Sequence, residues 1–255
     1  MASLLQTHNV IFLAALATLG TGIATGLGAL PTLLTVRVSD KLLDGLLGFA
    51  AGVMLAATSF SLLIPSMETG GIWVTVVGVV VGAAFVALMD RVVPHMHFIS
   101  GPEGPPSATL KRITLLILAI TIHNFPEGLA VGVGFGGGDL TVAVALAIAI
   151  ALQNMPEGLA VALPLVREGY SRWKAIGYAL LSGLVEPIGG VLGAALVSVA
   201  RPILPWGLSF AAGAMLYVVS EEMIPETHRK GFAKVGTTGL LVGFVVMMTL
   251  DNLFG

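Results

Sequence analysis

HNFPEGLAV begins at His123 and QNMPEGLAV at Gln153. Each stretch sets a glutamate four residues after an imidazole or an amide, and positions i and i+4 share a helix face. His123 and Glu127 therefore project together from one helix, and Gln153 and Glu157 from another. Asn124 and Asn154 follow about 100° further round. Pro126 and Pro156 have no N–H to give, and their rings crowd the carbonyls of Ile122 and Leu152. Each helix is expected to bend there and free a carbonyl oxygen. Gly128 and Gly158 admit a neighbouring backbone. The donors are nitrogen and oxygen only, because the chain contains no Cys. Such a set suits a borderline divalent ion, Zn²⁺ first, with Fe²⁺, Mn²⁺ or Cd²⁺ accommodated. An ion of charge 2+ would also let two buried glutamates stay ionised. The alternative is that each glutamate pairs with a polar neighbour as helix glue, but no Lys or Arg falls in these apolar stretches to serve as partner.

Further candidates surround the pair. Glu186, in LVEPIGG, is another carboxylate in an apolar run, followed by proline. Met54 is either a soft donor at mid-span or plain packing. Glu221 and Glu222 are either part of an exit path or a solvated helix end. Asp44 and Asp90 stand at the ends of apolar runs, beside basic residues. His95 and His97 form an H-x-H that either takes the ion after release or is an ordinary solvated loop.

The elements that must carry these residues are membrane helices. The chain of 255 residues is 56% hydrophobic and 10% charged, against about 25% charged in soluble domains. Its mean hydropathy is +0.98. A span needs roughly 20 apolar residues, and eight runs qualify: about 10–34, 42–64, 71–90, 112–135, 140–164, 173–199, 203–225 and 234–253. The first follows no basic region and reads as a span, not as a cleaved leader. Arg37, Lys41, Arg91, Lys111, Arg112, Arg167, Arg172, Lys174, Arg229, Lys230 and Lys234 fall in alternate connections, and Arg201 alone falls on the other side. The positive-inside rule then puts those connections in the cytoplasm and both termini outside. The expected architecture is an all-α, multi-pass protein of the cell membrane, one transmembrane domain over 1–255. The Pro/Gly-rich connection over about 91–111 is expected to be a mobile cytoplasmic loop. A net charge of −2 gives no sign of a nucleic-acid partner. Small-residue helix faces would serve a homodimer or internal packing equally.

Two internal similarities stand out. FAAGVMLAATSFSLLIPSMETG, from Phe49, is similar to FAAGAMLYVVSEEMIPETHRKG, from Phe210, with one residue of slippage. The copies lie on the second and seventh spans, which run in opposite directions. The two PEG motifs lie on the fourth and fifth, which also run oppositely. This is the signature of an inverted repeat, with spans 1–3 mirrored by 6–8 and span 4 by span 5, an arrangement typical of transporters. An integral-membrane metalloenzyme using the same ion to activate water is the competing reading. The chain has no H-E-x-x-H, and the repeat would then have no purpose.

HNFPEGLAVGV, NMPEGLAVALPL, VEPIG and VSEEMIPETHRKG together resemble the ZIP (Zrt/Irt-like protein) family of divalent metal transporters, in its bacterial and GufA-like branch. The resemblance runs over nearly the whole chain. It implies the eight-helix ZIP fold and movement of zinc, or a related ion, into the cytoplasm. The ion is cargo and not a cofactor, bound at one or two sites. The first position would comprise Met54, His123, Glu127, Gln153 and Glu157. The second would comprise Asn124, Glu127, Asn154, Glu157 and Glu186. Asn154 stands where binuclear relatives often carry Asp, which removes a negative charge from the second position. Glu221 stands where a relative carries His.

Overall fold

Among the described residues, three helices start on side chains that satisfy bare backbone donors. Ser39 accepts the Leu42 N–H at 3.2 Å, Asp139 those of Thr141 and Val142 at 3.0 and 3.2 Å, and Ser171 that of Lys174 at 3.4 Å. The structure is a computed structural model that describes residues 2–35, 37–97, 101–103, 112–229 and 231–254, with side chains for 9–35, 37–94, 118–229 and 231–253. The helices are α1 (Ala2–Gly28), α2 (Asp40–Ala57), α3 (Ile64–Val92), α4 (Arg112–Gly137), α5 (Leu140–Arg167), α6 (Arg172–Gly183), α7 (Glu186–Val199), α8 (Leu204–Val218), α9 (Ile224–His228) and α10 (Ala233–Phe254). Between α3 and α4, where the sequence predicts a loop, β1 (His95–His97) and β2 (Gly101–Glu103) form a short antiparallel ribbon.

Six stretches among the described residues are long and apolar enough to cross a membrane. The second of them, Asp40–Val92, is 53 residues long and is broken at Gly71, whose φ of 76° a side chain would resist. Three expected spans are less regular than a hydropathy count suggests. The sixth is divided between α6 and α7, immediately before Glu186. The second and seventh each contain a π-helical turn, Thr58–Leu63 joining α2 to α3 and Val219–Met223 joining α8 to α9. The prolines of the two PEG motifs lie inside α4 and α5, which run on through them.

The helices pack in close pairs, α2 with α10, α3 with α8, α4 with α7 and α1 with α5. Lipid tails give apolar side chains no reason to leave them, so pairing depends on close contact of backbones at small residues. A Cβ on Gly52 would come within 1.9 Å of the Leu240 carbonyl oxygen, one on Gly82 within 2.0 Å of that of Phe210, and one on Gly132 within 2.1 Å of that of Gly190. These small-residue faces are therefore occupied inside the chain. Large apolar side chains are exposed on the outside of the bundle, among them Trp73, Val80, Leu241, Val245 and Leu253.

The glycine contacts are testable through a paired substitution. Gly52→Ala should cost about 1–3 kcal/mol through overpacking. Gly20→Ala, with nothing within 4 Å of its Cβ, should cost nothing. Thermal unfolding in detergent reads the difference, and equal midpoints for the two variants would refute the packing argument.

Candidate metal centre

Gly138, at φ 94°, and the capping Asp139 turn the chain from α4 into α5 and so bring the two PEG motifs side by side. The motif glycines then decide what else arrives. A Cβ on Gly128 would lie 2.2 Å from the carbonyl oxygen of Glu186, and one on Gly158 would lie 1.7 Å from that of Thr25. The first motif is thus pressed onto the start of α7 and the second onto α1. Glu186 and Thr21 reach the site by this route.

The side chains form one buried network. Gln153 Nε2 donates to Glu127 Oε1 at 2.6 Å, and also approaches Asn154 Oδ1 at 3.1 Å and Glu157 Oε1 at 3.4 Å. Asn154 Nδ2 donates to Glu186 Oε1 at 2.8 Å and to the Thr21 carbonyl at 3.0 Å. The Thr21 hydroxyl meets Glu186 Oε2, with the Thr18 carbonyl, at 2.9 Å, as its alternative acceptor. Asn124, Glu127, Gln153, Asn154 and Glu186 are wholly buried and Glu157 half-buried. Several atoms have no hydrogen-bond partner: Glu127 Oε2, Gln153 Oε1 and both amide atoms of Asn124. A buried polar atom left this way is costly, and oxygens so placed are available to a cation.

His123 takes a different neighbour from the one its spacing suggests. Its Nε2 lies 2.6 Å from Oε2 of Glu222, which sits in the π-helical turn Val219–Met223. Such turns recur at functional sites because they re-aim side chains. Asp90 and Glu127 are also within electrostatic reach of the imidazole, and the Tyr217 hydroxyl donates to Asp90. A polar track therefore continues from the network toward the end of α3.

The structure thus joins Glu127, Gln153, Asn154, Glu157 and Glu186, and joins His123 to Glu222. Met54 is buried in the same apolar core as Leu129, Ala130 and Ile150, which flank the motifs. Asp44 and Asp90 are buried, while Glu221 is exposed. The side chains of His95 and His97 lie outside the described residues. Among the described residues no three His, Asp or Glu side chains are drawn together closely enough to hold an ion by themselves, so an ion here would also need the amide oxygens. Sequence reasoning missed Thr21 and Tyr217. A hydroxyl in an otherwise apolar run was the available signal, but Thr18 and Thr25 give the same signal.

The chain matches the family model described as "ZIP Zinc transporter" over residues 101–251. It is 44% identical to "Zinc transporter GufA" of Myxococcus xanthus, across 94% of this chain and 98% of that protein. It is 43% identical to "Zinc transporter ZIPB" of Bordetella bronchiseptica, across 91% of this chain and 78% of that one. It is 40% identical to the human "Zinc transporter ZIP11", across 97% and 99%.

The network makes its own prediction for the metal-free protein. Gln153→Leu removes the donor to a fully buried carboxylate and should cost about 1–3 kcal/mol. A lower thermal midpoint than wild type is the expected result. An unchanged midpoint would mean that Glu127 does not depend on this amide.

Proposed function

The chain belongs to the ZIP family of transporters, and on that premise we propose that it carries divalent transition-metal ions, Zn²⁺ foremost, into the cytoplasm through a metal centre between α4 and α5. The carrying observation is the buried amide–carboxylate network, with the oxygens of Glu127, Gln153 and Asn124 left without protein partners. Oxygen donors of this kind, with the imidazole of His123 one turn away, fit a borderline ion such as Zn²⁺.

The chain is a multi-pass membrane protein, and its polypeptide crosses eight times. Gly71 divides Asp40–Val92 into two crossings, and α4 adds one to the stretches already counted. Both termini then face the outside, and the Lys- and Arg-bearing connections the cytoplasm. The halves are an inverted repeat. Three observations support this. The α2–α10 pairing has its counterpart in α8–α3, and α4–α7 has its counterpart in α5–α1. Gly128 and Gly158 make equivalent contacts with α7 and α1. The π-helical turns fall at matching places in the similar sequences, six residues in one and five in the other, so the one-residue slippage lies inside them.

The ion enters from outside, exchanges water for the donors on α4 and α5, and leaves past His123, Glu222, Asp90 and Asp44, then past Glu221, His95 and His97. Access alternates as the α1, α4, α5, α6 and α7 group shifts against α2, α3, α8 and α10. The close helix pairs define these two groups, with α2–α5 and α4–α8 as the seams between them.

Zn²⁺ influx into sealed proteoliposomes with a trapped zinc-sensitive dye tests the proposal. Saturable influx is expected for the wild type. The doubly substituted chain, Glu127→Ala with Glu157→Ala, should show no influx above empty liposomes. Influx that survives both substitutions would place the path elsewhere.

A further inference from the structure

The geometry points to Thr21 as a positioning residue of this metal centre: with Asn154 it clamps both oxygens of Glu186, and the clamp leaves the Gln153 oxygen free for the ion. The inference rests on the proposed metal centre. Thr21 is on α1, outside both PEG motifs, and is only 1% exposed. Its hydroxyl meets Glu186 Oε2, while Asn154 Nδ2 donates to Glu186 Oε1 at 2.8 Å and to the Thr21 carbonyl at 3.0 Å.

Hydrogen-bond polarity carries the effect onward. With its NH₂ group committed to Glu186 and Thr21, Asn154 can present only its oxygen on the other side. A carbonyl oxygen accepts, so the end of Gln153 that faces it must be the donor. Gln153 Nε2 is indeed 3.1 Å from Asn154 Oδ1 and 2.6 Å from Glu127 Oε1. The opposite end, Gln153 Oε1, is then directed away from the network and is buried without a partner. The free donor atoms therefore divide unevenly. Those of Glu127, Gln153 and Asn124 are without protein partners and so are free to meet an ion. Both ends of Asn154 and both oxygens of Glu186 already have protein partners. Thr21 touches none of the free atoms, so it acts through Glu186 and Asn154.

Losing a group that orients a metal ligand directly lowers affinity by about 10- to 100-fold. Asn154 holds Gln153 directly, and the Thr21 hydroxyl acts on Asn154 through Glu186, so its loss belongs at the lower end. The test is Zn²⁺ titration of the purified full-length chain in detergent, alongside its zinc-free thermal midpoint. Thr21→Val keeps the shape and removes the hydroxyl. It should raise the apparent Kd for Zn²⁺ about tenfold, and Thr21→Ser should restore wild-type binding. A lower zinc-free midpoint with an unchanged Kd would assign Thr21 a structural role only and overturn the inference. In a Glu186→Gln background the Thr21→Val effect should shrink, because the clamp is already broken. The same fold-change in both backgrounds would also overturn it. If Thr21→Val does not fold, Thr21→Ala carries the same comparison. Wild type that takes up no Zn²⁺ would defeat the metal-centre reading itself, an outcome distinct from equal binding by wild type and variant.

Discussion

A carboxylate inside a bilayer has neither water nor, among the described residues, a buried Lys or Arg to answer it. Glu127 and Glu186 are nevertheless wholly enclosed. The protein answers them with neutral donors, the amides of Gln153 and Asn154 and the hydroxyl of Thr21. Burying such groups without partners would cost several kcal/mol each. The carboxylates stand on α4 and α7 and their partners on α1 and α5, so the polar network requires those four helices to converge at one depth.

Backbone proximity makes that convergence attainable. In lipid there is little hydrophobic gain from bringing helices together, and contact must come from dispersion and hydrogen bonding at short range. Gly128 and Gly158 let α4 and α5 meet the backbones at Glu186 and Thr25. The same residues thus serve packing and chemistry. A larger side chain at either would separate the helices and pull the hydrogen-bond donors away from the carboxylates together.

The π-helical turns add a second kind of control. At Val219–Met223 the extra residue in the turn rotates the side chains around it and presents Glu222 to His123. At Thr58–Leu63 the corresponding turn presents Ser61 to Asp251 at 2.6 Å. Both turns immediately precede an Ile-Pro pair, Ile64–Pro65 and Ile224–Pro225. A proline cannot donate to the carbonyl four residues back, so the backbone there is already short of one hydrogen bond.

The amino-acid sequence alone determined the membrane class, the paired motifs and the list of residues able to meet an ion. These rest on local properties: composition, run length, and the i, i+4 spacing that places His123 with Glu127 and Gln153 with Glu157 on a common face. Glu186 was legible too, because a carboxylate in an apolar run is conspicuous. Local patterns could not say which distant groups would meet. Thr21 and Glu186 are 165 residues apart, and nothing in a short window distinguishes Thr21 from the other threonines of α1. Nor could spacing show that His123 meets Glu222, that Tyr217 meets Asp90, or that the slippage between the repeated segments is taken up by a π-helical turn. Those outcomes were decided by tertiary structure, because each depends on how closely two backbones approach and on which end of an amide faces its neighbour.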